Sequence, residues 1–132
     1  MSGGKIEFPE AIFSLKELKE LDIYTSVKDW PDRFSELSKL EKLTLGYIKT
    51  ELPESIGNLK NLKYLKVQFH NCKTIPVSYF NLSNLETLCI FGKSLETLPS
   101  DILILPNLKK VELGWGIKIK NMPSIPEHIE FE

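Results

Sequence analysis

Two cysteines and two histidines, Cys72, Cys89, His70 and His128, are the side chains in this chain whose types most readily suggest chemistry. A nucleophilic cysteine needs a histidine within hydrogen-bond reach, and a disulfide needs Cα atoms within roughly 7 Å. A zinc site needs several Cys or His ligands at short spacing; His70 and His128 lie far apart in sequence and no such spacing occurs. Gly114-Trp115-Gly116 lacks the rest of any phosphate-binding motif. Asn81-Leu82-Ser83 has the form of a glycosylation acceptor, but its leucine belongs to a core column described next. Whether any of these residues can act depends on where the chain puts them.

The chain is built on repetition. Pro9, Pro31, Pro53, Pro76, Pro99 and Pro123 follow one another at intervals of 22, 22, 23, 23 and 24 residues. The first five each open the same ladder. Three residues on stand Ile12, Phe34, Ile56, Tyr79 and Ile102; six on, Leu15, Leu37, Leu59, Leu82 and Leu105; nine on, Leu18, Leu40, Leu62, Leu85 and Leu108. Twelve on come Leu21, Leu43, Leu65, Leu88 and Val111, and fourteen on Ile23, Leu45, Val67, Ile90 and Leu113. A unit this short cannot enclose a core, so its copies must stack.

Proline lacks an N–H and is preset for a first helical turn, so each can open a short helical segment. The leucines three, six and nine residues on form that segment's inner stripe. The residues at twelve and fourteen have the period of a strand, which turns those at eleven, thirteen and fifteen outward.

The unit LPxxIxxLxxLxxLxL resembles the leucine-rich repeat, in the 22–24-residue form of Ras-suppressor-like, scribble-like and plant Ras-group proteins. The resemblance runs from Phe8 to Leu113 with a partial sixth unit. It implies an α/β fold: one right-handed solenoid over residues 1–132, with a parallel sheet on its concave face and short α or 3₁₀ helices on its convex face. The repeats run at about 8–29, 30–51, 52–74, 75–97 and 98–121, with a shortened cap at 122–132. A fragment cut from a longer array is the alternative reading of that last unit. In this family an asparagine normally follows the last strand leucine by three residues and hydrogen-bonds backbone in the neighbouring turns. Here Ser26, Ile48, His70, Lys93 and Gly116 stand there, so no such ladder is expected, with His70 a partial substitute. The same rim absorbs the length variation. At the other end, Lys5 to Phe8 alternates and could add a strand to the first coil.

This frame decides the chemistry. Cys89 falls at an outward strand position, while Cys72 and His70 lie six and four positions further along the rim of the preceding coil. At about 3.3 Å per residue and about 4.8 Å between strands, neither a disulfide nor a Cys-His pair is within reach. No enzymatic activity and no cofactor or metal are expected.

The outward face is left. Its columns read Glu20, Lys42, Tyr64, Thr87, Lys110; then Asp22, Thr44, Lys66, Cys89, Glu112; then Tyr24, Gly46, Gln68, Phe91, Gly114. The signs are mixed, and with a net charge of −1 nothing recruits nucleic acid or an anionic membrane. Lys42 and Glu20 could pair across strands, as on any solvated face. Aromatics on an exposed sheet suit the centre of an interface. The expected partner surface is therefore Tyr24, Lys42, Tyr64, Lys66, Gln68, Phe91, Lys110 and Trp115. Tyr47, Phe69 and Trp115 sit where strands end and are expected to turn inward, filling the space of the absent asparagines. A carbohydrate-binding alternative would need Phe69 and Trp115 exposed.

The reading is thus a non-enzymatic module that binds a protein or peptide, monomeric, with end-to-end self-association or a spacer role as rivals. The longest apolar run, Ile102 to Leu105, is far too short to span a membrane, and MSGGKIEF lacks the apolar stretch of a signal peptide. The compartment stays open, with a reducing, cytoplasmic setting favoured.

Overall fold

The leucines recur every three residues because the backbone itself is bonded every three residues. In each coil the amide at the sixth position donates to the carbonyl at the third: Leu15 to Ile12, Leu37 to Phe34, Leu59 to Ile56, Leu82 to Tyr79 and Leu105 to Ile102, at 2.9–3.4 Å. The amide at the ninth position then donates to the sixth, from Leu18 to Leu108, at 3.0–3.2 Å. Such i to i+3 bonding eclipses side chains three apart, so one stripe of leucine faces inward. The computed structural model describes residues 7–27, 29–48, 52–70, 75, 77–92, 94–114 and 117–132. Its helical segments are all 3₁₀: Glu10–Ser14, Phe34–Glu36, Glu54–Asn58, Val77–Asn81 and Ser100–Ile104.

After each 3₁₀ segment the chain extends into a strand: β1 (Glu20–Ile23), β2 (Lys42–Ile48), β3 (Tyr64–Phe69), β4 (Thr87–Phe91), β5 (Lys110–Leu113) and β6 (Glu130–Phe131). They form one six-stranded sheet in chain order, every neighbouring pair parallel. Register follows the columns, so Lys42 lies beside Tyr64 and Thr44 beside Lys66. The short sixth coil contributes Glu130 and Phe131 beside Lys110 and Val111.

Between sheet and 3₁₀ segments lies the leucine core. Leu37, Leu40, Leu43, Leu45, Leu62, Leu65, Leu82, Leu85 and Leu88 are all fully buried. Coil 1 departs from this, with Leu15 52% exposed and Leu18, Leu21 and Ile23 only partly covered. Among the described residues it has a coil on one side only, whereas each interior coil is covered from both. Phe8, Phe13, Trp30 and Phe34 close the core there as one cluster, with ring centroids 5.4–6.4 Å apart.

An asparagine ladder does exist, displaced to the other end of the strands. Eight residues after each proline, the Nδ2 atoms of Asn61, Asn84 and Asn107 donate to the carbonyls of Ser38, Lys60 and Ser83 in the preceding coil, at 2.8, 2.6 and 2.8 Å. In the first two coils Glu17 and Lys39 occupy this column and form an ion pair at 2.6 Å instead. Coils 2 and 3 are pinned further by Ser55, whose N–H donates to Asp32 and whose hydroxyl accepts from the Phe34 N–H.

Candidate interaction surface

The outward residues of the sheet do not all stand free, because many lean onto the next strand. The Lys42 ammonium lies 5.0 Å from the centroid of the Tyr64 ring, and the Lys66 ammonium 4.8 Å from that of Phe91. Each is a cation over an aromatic face. Lys42 makes no ion pair with Glu20, although the two are in register. The ring of Phe91 also covers Gly114, just past the end of β5, where a Cβ would collide with it. Tyr24 covers Gly46 likewise, its Cδ1 3.1 Å from where a Cβ would stand. Both glycines are buried, so they serve as seats for the aromatic rings one strand earlier.

Tyr64 reaches the other way as well. The Cys89 thiol donates to its hydroxyl at 3.6 Å, and Cys89 is 3% exposed despite its outward position. Burial above all pushes the Tyr64 hydroxyl up to about 12. Burial likewise raises the Cys89 thiol above its ordinary value, so the neutral form that does not attack electrophiles is favoured. Cys72 lies outside the described residues.

Lys110, in the last full coil, is held by Glu132 at 2.8 Å and Glu130 at 3.4 Å, which raise its pKa further. Gln68 is half-buried in the same row as Phe91. Tyr24 stands out at 54% exposed. Trp115 falls outside the described residues.

Two expectations at the strand ends are corrected. Tyr47 does not turn inward: it is 45% exposed. The ladder between β2 and β3 shifts after Leu45, so Ile48 takes the inward place beside Phe69. Tyr47 sits in that bulge at φ 56°, which turns it out. His70 is exposed and stacks on Tyr47, with centroids 5.9 Å apart, rather than lying inside as an asparagine substitute. Phe69 does turn in, at 2% exposed, which removes one of the two residues a carbohydrate platform needed.

A cavity of about 840 Å³ opens at the C-terminal ends of β3 to β5. Gln68, His70, Phe91, Glu112, Gly114 and Glu132 are among its walls. It therefore takes in two residues of the expected surface, Gln68 and Phe91, and adds acidic groups from the far coils. Sequence reasoning passed over the two glycine seats and the asparagine rungs. Glycine under an aromatic in the same column was the signal for the seats, and three asparagines at one offset the signal for the rungs.

Among the described residues, no group of three or more His, Cys, Asp or Glu is arranged to hold a metal ion. Nor is any helix there long and apolar enough to cross a membrane. No protein-family model and no curated protein matches the chain. Among solved structures it is similar to a leucine-rich-repeat protein of Leptospira interrogans, with a TM-score of 0.71 and 30% identity over 88% of this chain. The chain spans 30% of the length of that protein. Five leucine ladders wound onto one parallel sheet, and that likeness, give this chain the leucine-rich-repeat fold.

Proposed function

We propose that the chain is a non-enzymatic interaction module that takes a protein or peptide on the outward face of its sheet. The observation that carries the reading is the cavity of about 840 Å³ at the ends of β3 to β5, which adjoins a row of aromatic and lysine side chains. A concave apolar opening edged by a few convergent polar groups is the usual form of a recognition site. Six strands at about 4.8 Å spacing give a face roughly 24 Å across, room for an extended peptide or one edge of a small domain.

The aromatics divide the work. Tyr64 and Phe91 are half-buried platforms, each already carrying a lysine on its ring. Tyr24 is the aromatic with area to spare. An anchor of this kind gains most from being covered, since large rings bury much surface at small entropic cost.

Hydroxyl-radical footprinting of a complex captured from the native host tests the reading. Oxidation of Tyr24, Tyr64 and Phe91 should fall when the partner is bound. Protection confined to the 3₁₀ face, at Val77 and Ile104, would move the interface to the other side of the solenoid.

A further inference from the structure

The outward face carries three described lysines, and they are not equivalent. Lys110 is taken up by Glu132 and Glu130. Elsewhere Lys16, Arg33, Lys39, Lys109 and Lys120 each sit against a glutamate. Lys42 and Lys66 instead lie over the rings of Tyr64 and Phe91, with no ion pair among the described residues. A ring attracts the ammonium without supplying a counter-charge, so each keeps hydrogen-bond donors for an anion. Both side chains are half-buried, so much of their rotamer freedom is already spent before any partner arrives.

Their spacing is informative. Thr44 is the β2 residue beside Lys66, two positions beyond Lys42. One strand across and two residues along separates the two backbone positions by about 8 Å. Same-side side chains two apart on an extended peptide are about 7 Å apart. Acidic residues at alternate positions therefore match the two lysines.

The margins exclude the same peptide. Glu20 and Asp22 stand exposed on β1, Glu112 is half-buried on β5, and Glu130 on β6 and Glu132 just after it are exposed. Between them β4 offers only neutral Thr87 and Cys89 at the matching positions. Like charges at both sides would confine an acidic segment to β2 to β4, fixing its position through repulsion as well as attraction. Resting on the sheet-face reading above, we propose that Lys42 and Lys66 form the docking pair for an extended segment of the partner with acidic side chains at alternate positions.

Fluorescence anisotropy on the full chain tests this with three labelled octapeptides of alternating serine and glutamate, serine and lysine, or serine and glutamine, and a single-stranded oligonucleotide. The glutamate peptide should bind best and weaken with salt. K42Q/K66Q should weaken it by about tenfold, as two partly exposed ion pairs would. K42R/K66R should keep binding, and unchanged circular dichroism would show both variants folded. A glutamine or lysine peptide binding as tightly, an indifferent K42Q/K66Q variant, or no binding of the glutamate peptide would each overturn the proposal. So would tighter binding of the oligonucleotide. None of these results would disturb sheet-face protection in the footprint of a native partner, which stands or falls separately.

Discussion

The ring of Phe91 on β4 fills the space that a side chain at Gly114, just past the end of β5, would need. Neither residue is part of the leucine pattern, yet together they tie two strands on the solvent side. Gly114→Ala should displace the ring, disturb the cation over it and destabilise the fold by about 1–3 kcal/mol, as overpacking does. In urea unfolding the loss should shrink when Phe91→Leu is added, because the smaller side chain yields the space. Additive losses would mean that the two side chains do not compete for that space.

The displaced asparagine ladder predicts a pattern of small effects. Asn61→Ala, Asn84→Ala and Asn107→Ala should each cost about 1 kcal/mol, the net value of one hydrogen bond to backbone. Asn58→Ala, exposed at the end of its 3₁₀ segment, should cost close to nothing. Equal effects at all four positions would remove the ladder as a stabilising element.

Tyr64 makes stability depend on alkaline pH. Its hydroxyl is pushed up to about 12 in the folded chain, against an ordinary value of 10.0. As pH rises through 10 the unfolded chain loses this proton first, so folding stability falls from there to about 12. Tyr64→Phe should flatten that part of the decline. Urea midpoints at neutral and alkaline pH, compared between wild type and variant, give the difference directly. An identical slope in both would show that the hydroxyl is not shielded.

Much of the scaffold was legible because core columns impose their type five times over, and burial allows little variation at Leu37, Leu59 or Leu82. The 3₁₀ bonding is written into the spacing itself. The surface was harder. Asn61, Asn84 and Asn107 share a column with Glu17 and Lys39, which breaks the visual repeat although all five link coils. Cys89 was rightly placed on the outward face, but its burial goes with Tyr64 crossing from the preceding strand. Tyr47 turns out because β2 bulges after Leu45, a backbone choice that no periodicity records. Lys42 choosing the Tyr64 ring over Glu20 is a balance of two weak attractions, and only geometry decides it.

The central claim, that the sheet and not the 3₁₀ face meets the partner, is tested most directly by comparing capture from host lysate with three baits. One is the wild type, one carries Tyr24→Ala with Gln68→Ala, and one carries Val77→Ser with Ile104→Ser. The last pair are the most exposed large apolar side chains of the opposite face among the described residues, at 71% and 75%. Loss of the same captured protein from the first variant alone is the predicted result. Its loss from the second variant, with the first still capturing it, would contradict the account.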